Sequence, residues 1–499
     1  MNISEPKFSK IIRDPVHGYI PITGTENEIL QLPVLNRLHR VRQMSLVYLI
    51  YPGATNSRFT HSLGTMHISS KIIMRVFKSL DPDVFKELFP GFEAHEAPLI
   101  VKIVRLAALL HDVGHGPYSH SSEPAMTESL KIHRPSELDE AKRVLNKDST
   151  IPIHEFFSYK LVTKGEVSEI LEKEGIREEV ASLIQKSTPE GRFRENPVGC
   201  LLLRRIVSSQ LDADRMDYLI RDAQASGVTY GAVDVERIIL NLEIRKDRKG
   251  NFELAIHKRA QSAIEDMLDA RFKMYKWLYN HHLVVATEAL LEKAIENAVF
   301  YGLIDDRDLH WETFDKGLME DDTILRELAI VLSRGSRTFE PFRGLLDRRY
   351  LPISLLKRSD DEKKFINDVK QKSGRTGPAS MIKEKIEQFL SDPTYQSNLQ
   401  GSLNSQKDPL NKAIFLVVNA ARSPYSYLKE GDTVWLFDDA GQLTELTDYS
   451  TYFRYINSEW ESFRSLYVSY VIPGYSRNES RQYERKIWDI FADSIAAVP

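Results

Sequence analysis

The run Val101–Leu110 is apolar except at Lys102 and Arg105, and it ends directly on His111-Asp112 and a Gly114-His115-Gly116-Pro117 turn. Such a run reads as a buried helix, and the turn stops it. A His and an Asp at the mouth of a buried helix are costly unless they are paired or bind a metal. Two further histidines, His115 and His120, follow within nine residues. The chain must therefore fold so that its core presents a polar cluster. Cys200 is the sole cysteine, which excludes intrachain disulfides and thiolate metal clusters. A site here uses nitrogen and oxygen donors.

The 499 residues are 42% hydrophobic with a formal net charge of −4. That balance describes a soluble globular chain with length for a large core and about two to four domains. It gives no support to non-specific nucleic-acid or membrane binding. Met1–Lys7 lacks the basic start and apolar core of a secretory signal. The apolar runs are far short of a membrane span, so no membrane association and a cytoplasmic location are expected.

Ile11–Ile22 reads as a small hairpin around Asp14-Pro15 and His17-Gly18. Over Asn27–Tyr48, Ile29, Leu32, Leu35, Leu38, Val41 and Met44 recur every three residues, which predicts a helix. His61 opens a helix to about Leu80, another begins near His154, and Pro197–Ala225 reads as one long helical segment carrying Asp212, Asp214 and Asp217. Asn251–His257 alternates like a strand, and Arg259–Asn297 is mostly helical. Beyond that, Asp360–Lys412 looks like helices joined by loops, Ala413–Val418, Thr433–Phe437 and Leu466–Ile472 are strand-like, and Glu479–Ala497 reads as a closing helix. The expectation is a mainly α protein. It has an N-terminal hairpin and helix over 1–50, a helical core over 51–319 and an α+β accessory region over 320–499. No Gly-rich loop ending in Gly-Lys-Ser/Thr is present.

His61 lies in Arg58-Phe59-Thr60-His61-Ser62-Leu63-Gly64, fifty residues before His111-Asp112, and an Asp follows about a hundred residues later. His61, His111, Asp112 and Asp214 form a candidate metal set, with Asp212 and Asp217 equally plausible on chemistry alone. Two imidazoles with carboxylates suit Mn²⁺, Fe²⁺, Zn²⁺ or Mg²⁺. Such an ion lowers the pKa of a bound water and polarises a phosphoryl oxygen, as attack on a phosphate ester near neutral pH requires.

Together with Asp14-Pro15-Val16-His17-Gly18, Pro52–Gly64, His111–His120, His154-Glu155 and Asp212–Asp222, this pattern resembles the HD-domain phosphohydrolase superfamily. More narrowly, it resembles the deoxynucleoside triphosphate triphosphohydrolases of that group. The resemblance implies an HD-domain helical core and a divalent metal (Mn, Mg, Fe or Zn) on His61, His111, Asp112 and Asp214. It implies catalytic or phosphate-contacting roles for His115, His120 and His154. His120 would be the general acid, oriented by Glu123 where the family has Asp, and His154 the second candidate. Arg58 and Arg215, the latter where relatives carry Lys, would face phosphates, with Lys258 as a further cation. Gln43, Tyr218 and Asp222 match positions near the sugar and its 3′-hydroxyl. Where animal members read a regulatory guanine nucleotide, this chain has Gln31, Asn36 and His39.

The implied reaction converts a dNTP and water to a deoxynucleoside and inorganic triphosphate. The alternatives are an HD-type phosphatase or phosphodiesterase on another nucleotide, or a nucleotide- or nucleic-acid-binding protein with secondary activity. The net charge gives a nucleic-acid partner no support. The resemblance also implies a homo-oligomer, dimer or tetramer.

Overall fold

The computed structural model describes residues 4–148, 151–305, 307–333, 352–356, 359–374, 393–419, 433–461 and 466–497. The chain divides into two compact units. The first comprises Met1–Tyr275, Ile304–Ile324 and Pro424–Trp460. It opens with the expected hairpin, Phe8–Asp14 paired antiparallel with Gly18–Thr23. Asp14 Oδ1 accepts the Val16 and His17 amides at 2.9 and 2.8 Å and closes the turn.

The single helix expected over Asn27–Tyr48 is instead a series of short pieces. Helices Gly24–Leu30 and Pro33–Arg37 are followed by 3-10 turns Leu38–Arg40 and Val47–Leu49. Pro33 has no amide to continue a helix, so the chain restarts there with Pro at its first turn. Ile29, Leu35, Leu38, Val41 and Met44 are nevertheless buried. The period of three marked the core without marking one helix.

Three helices form the centre: Arg58–Ser79, Ala97–Leu110 and Ala213–Ser226, with the first packed on both others. Ala97–Leu110 is buried along nearly its whole length. Its Arg105 is accommodated by Glu26, whose carboxylate accepts Nε and Nη2 at 2.6 and 2.8 Å. A bidentate, charge-assisted pair is the geometry that lets an arginine sit in such a helix. The expected Pro197–Ala225 segment is two helices, Pro197–Val207 and Ala213–Ser226. Asp212 ends the break between them as an N-cap, its Oδ1 accepting the Arg215 amide at 2.6 Å.

The same unit holds a four-stranded sheet in the order Leu242–Lys246, Phe252–His257, Trp435–Phe437, Leu443–Glu445. The middle pair is parallel and the outer pairs antiparallel. Strands from beyond residue 433 thus complete a sheet begun near residue 242.

The second unit comprises Lys276–Leu303, Leu325–Ser423 and Glu461–Pro499. Its sheet runs in the order Ile353–Ser354, Leu466–Val471, Ile414–Asn419, antiparallel throughout. Leu356, Phe365, Val468, Tyr470, Ile487 and Phe491 are among the residues of its core. The expected closing helix breaks at Gln482-Tyr483 into Arg477–Arg481 and Glu484–Ala496. Within Asp360–Lys412, helices Ser359–Ser373 and Pro393–Asn404 are present, and residues 375–392 lie outside the described residues. The mainly α fold with an α+β C-terminal region is therefore as expected. Among the described residues no helix is long and apolar enough to cross a membrane.

Candidate active site

The three central helices bring four of the expected residues together. His61 sits in the first turn and a half of Arg58–Ser79, whose start is fixed by the Ser57 cap accepting the Thr60 amide. His111 and Asp112 follow the last turn of Ala97–Leu110, and Asp214 is in the first turn of Ala213–Ser226. His61, His111 and Asp112 offer ligand atoms within 4.8 Å of one another. Asp214 Oδ1 lies 3.0 Å from His61 Nε2 and 3.8 Å from His111 Nε2.

Both imidazoles are oriented from behind. His61 Nδ1–H donates to Asp217 Oδ2 at 2.8 Å, and His111 Nδ1–H donates to the Ala108 carbonyl at 2.8 Å. Each therefore presents Nε2 to the shared space, and both Nε2 atoms are buried without a hydrogen-bond partner among the described residues. Two converging, unsatisfied imidazole nitrogens beside two carboxylates fit a divalent cation.

Burial alone would lower the His61 pKa, but the nearby Asp214 carboxylate and the bond to Asp217 raise it to about 10. Burial opposes ionisation of Asp214 as well, yet His111 and His61 hold it far below the carboxylate range. A cation taking His61 Nε2 must displace a proton. The apparent affinity for Mn²⁺ is accordingly expected to rise up to about tenfold per pH unit between about pH 6 and 8. Calorimetric titration at several pH values checks this, and a flat affinity contradicts it.

Asp217, one of the alternatives to Asp214, serves the opposite side of His61. It is fully buried and accepts from His61, from His17 Nε2–H at 2.6 Å, and from Arg221 Nε and Nη2 at 2.8 and 2.9 Å. Arg221 in turn reaches Asp14 at 2.8 and 3.2 Å. The hairpin turn Asp14–Gly18 is thus wired through Asp217 to the imidazole. Gly64 makes room for this: a Cβ there would stand 1.8 Å from Asp217 Oδ1 and 2.6 Å from Arg221 Nη2. Gly64→Ala is expected to displace Asp217, loosen His61 and weaken metal binding about 10- to 100-fold. Metal content after dialysis checks this, and unchanged retention counts against it.

A second cluster adjoins the first, formed by His115, His120, Glu123 and His154. Glu123 Oε1 accepts from His120 Nδ1–H at 2.6 Å and from His154 Nδ1–H at 2.7 Å. His115 and His154 are stacked, with centroids 3.9 Å apart. Gly114 permits this approach, because a Cβ there would meet Ser158 N at 2.3 Å and the His154 carbonyl at 2.4 Å. The turn after the buried helix therefore lies against Ile153–Lys164 and sets His154 beside His115.

Burial disfavours the Glu123 carboxylate, but His154 and His120 hold its pKa well below the usual range. Burial also lowers His154, and Glu123 more than offsets it, so the net shift is upward. Burial, with Arg58 and His154, pushes His115 well down and keeps it neutral. His115 and His154 are buried, whereas the His120 side chain is 60% exposed. Asp112 joins the clusters: Oδ2 lies 3.6 Å from His61 Nε2, and Oδ1 lies 3.4 Å from His111 Nε2 and 3.5 Å from His115 Nε2.

The expected substrate residues divide. Arg58 is at the centre, its Nη1 on Asp112 Oδ2 and its Nε on Ser119 Oγ at 2.7 Å. Gln43 Oε1 is buried without a hydrogen-bond partner among the described residues. Asp222 is buried and accepts from Asn56 Nδ2 at 2.8 Å, and Tyr218 is half-buried. Arg215 pairs with Asp212, the carboxylate that caps its helix. The structure gives Lys258 partners elsewhere: its ammonium lies 3.4 Å from Asp438 Oδ2 and 4.7 Å from the Tyr449 ring centre.

The HD domain family model matches residues 58–222, and the HD associated region model matches 233–335. The chain belongs to the HD-domain superfamily. It is a metal-dependent phosphohydrolase of that superfamily. It is 27% identical over 471 residues to the uncharacterised protein YwfO of Bacillus subtilis, with 92% of each chain covered. The human deoxynucleoside triphosphate triphosphohydrolase SAMHD1 is 26% identical over 302 residues, 58% of this chain. The matched part is 45% of the human enzyme, less than half its length. Among solved structures, a phosphohydrolase from Bacteroides thetaiotaomicron has a TM-score of 0.59 at 23% identity, covering 93% of this chain and 100% of that one. A protein from Aquifex aeolicus has a TM-score of 0.60 at 22% identity, covering 97% and 99%. Both share the fold.

The HD domain spans every residue of the two clusters. Asp14 and His17, which buttress it, precede the matched region, and their motif was the only signal that they belong to it. Asn36 donates to the carbonyls of Leu30, Gln31 and Leu32, and His39 is stacked on Phe59 at 3.6 Å. At those positions this HD protein uses the side chains for its own structure.

Proposed function

We propose that the chain hydrolyses a deoxynucleoside triphosphate to a deoxynucleoside and inorganic triphosphate. The observation that carries this reading is Asp112, which faces His61 with one oxygen and His111 and His115 with the other. A cation-ready pair of imidazoles and a proton-handling cluster thereby flank one space. His61, His111, Asp112 and Asp214 would hold the metal, which supplies Lewis acidity at a phosphoryl oxygen and a nucleophile at neutral pH.

The remaining work falls to side chains. Arg58 stabilises charge developing on the phosphoryl oxygens. Glu123, ionised between two histidines, fixes His120 with Nδ1 toward itself, so Nε2 is the atom that delivers a proton. Cleavage at the α-phosphorus expels the nucleoside 5′-oxygen, a poor leaving group until His120 protonates it. Gln43, Tyr218 and Asp222 orient the nucleoside. The distant relation to the human triphosphohydrolase supports this substrate class.

One observation favours a second reading. Arg215 and Lys258 already have acidic partners in Asp212 and Asp438. A triphosphate needs several cations, a monophosphate fewer. Incubation of metal-loaded protein with each dNTP singly, with all four mixed and with nucleoside monophosphates, resolved by chromatography, decides between them. Inorganic triphosphate supports the first reading. Orthophosphate from a nucleoside monophosphate, without triphosphate from any dNTP, replaces it with a phosphomonoesterase.

A further inference from the structure

The turn that carries His120 is held in a conformation its own residues disfavour. Tyr118 and Ser119 both have φ of 56°, two consecutive non-glycine residues in the left-handed region. Such backbone persists only where its surroundings over-determine it. Here part of that determination comes from one side chain 203 residues away. Asp321 is fully buried, and its Oδ1 accepts the Tyr118 amide at 2.6 Å. Its Oδ2 accepts the Arg42 amide at 3.0 Å and Arg42 Nη1 at 3.1 Å.

The carboxylate therefore ties two segments of the site together. On the far side of the turn, Ser119 Oγ donates to the Arg42 carbonyl at 2.6 Å and accepts from Arg58 Nε at 2.7 Å. Gln43, next to Arg42, is fastened by its amide to the Asn56 carbonyl at 2.9 Å. The neighbouring Met319 carbonyl accepts from buried Arg37 at 3.0 Å, and the same guanidinium holds the Val113 and His115 carbonyls at 3.2 and 2.6 Å. Residues 319–321 thus brace the backbone on both sides of Gly116-Pro117. These residues lie within the HD associated region and outside the HD domain itself.

We propose that Asp321 is a positioning residue for hydrolysis: its carboxylate clamps the left-handed Tyr118–Ser119 turn to Arg42 and so sets His120 against the scissile group. This rests on the reading of His120 as the proton donor. Two acceptor oxygens are required, because two backbone amides approach from different sides. In Asp321→Asn one of them meets an NH₂ group, donor against donor.

The test uses the full-length, metal-loaded chain. Asp321→Asn is expected to lower kcat about 10- to 100-fold with KM and bound metal nearly unchanged, since small misplacement of a catalytic group is costly. In a His120→Ala background the same change is expected to cost less than about twofold, because groups acting as a unit are not additive. Full kcat in Asp321→Asn, or an equal penalty in both backgrounds, overturns the proposal.

Amide hydrogen exchange at Tyr118 is read in parallel and needs no substrate. Exchange should accelerate on the order of tenfold or more in Asp321→Asn, and unchanged protection overturns the clamp. If the wild-type chain releases no triphosphate, the substrate reading fails and the clamp is judged on this exchange alone. Should Asp321→Asn not fold, Arg42→Ala removes only the guanidinium donor, and the same faster exchange at Tyr118 is expected.

Discussion

Asp112→Asn is expected to bring hydrolysis to background while the chain keeps its fold. One carboxylate oxygen faces the His61 imidazole and the other faces those of His111 and His115. Burial works against its charge, but His111, Arg58 and His115 hold its pKa well below the usual carboxylate range. It is thus an anion at any working pH, and the site loses that charge and one donor oxygen in the amide. The amide still offers an oxygen to Arg58, so the buried guanidinium retains a partner. Asp112→Ala is expected to be equally inactive but less stable. Its Arg58, only 3% exposed, would lose the anion it faces, a change of about 3–5 kcal/mol for a buried pair broken on one side. Steady-state assay, metal content and thermal melting of both variants separate these effects. Full activity in either one sinks the mechanism.

The residues that the sequence displayed well are those whose signal is local. Val101–Leu110 is a long apolar run with its own stop, and it forms the buried helix with His111-Asp112 at its end. The hairpin at Asp14–Gly18 carries its turn chemistry in five residues. What escaped depended on partners distant in the chain. Asp214 and Asp217 are three residues apart on one helix, and chemistry alone ranks them equally. Only the way that helix faces His61 puts one on Nε2 and the other on Nδ1.

Glu123 was expected to orient His120, but its equal hold on His154, 31 residues onward, comes from the approach of Ile153–Lys164 that Gly114 allows. Lys258 reads from the sequence as a further cation for phosphate, and its contact with Asp438, 180 residues away, is not visible there. Asp212 read as mid-helix because an N-cap and a helical aspartate look alike without the backbone around them.

His120→Ala is expected to lower the rate on a dNTP by about 10²–10⁴-fold, the usual contribution of a positioned general acid. The structure distinguishes it from His154, the other imidazole on Glu123. His154 is buried and stacked on His115, whereas His120 is open to solvent. His154→Ala should therefore act through Glu123 and His115, with a smaller effect. The loss in His120→Ala should also depend on the leaving group. A nucleoside 5′-alkoxide needs its proton, but p-nitrophenolate leaves without one. On a p-nitrophenyl phosphodiester the same variant is expected to lose less than about tenfold, because proton donation is no longer part of the barrier. Parallel assays of both substrates measure this. An equal loss on the two would assign His120 to phosphate binding, and a larger loss in His154→Ala would transfer the acid role to that residue.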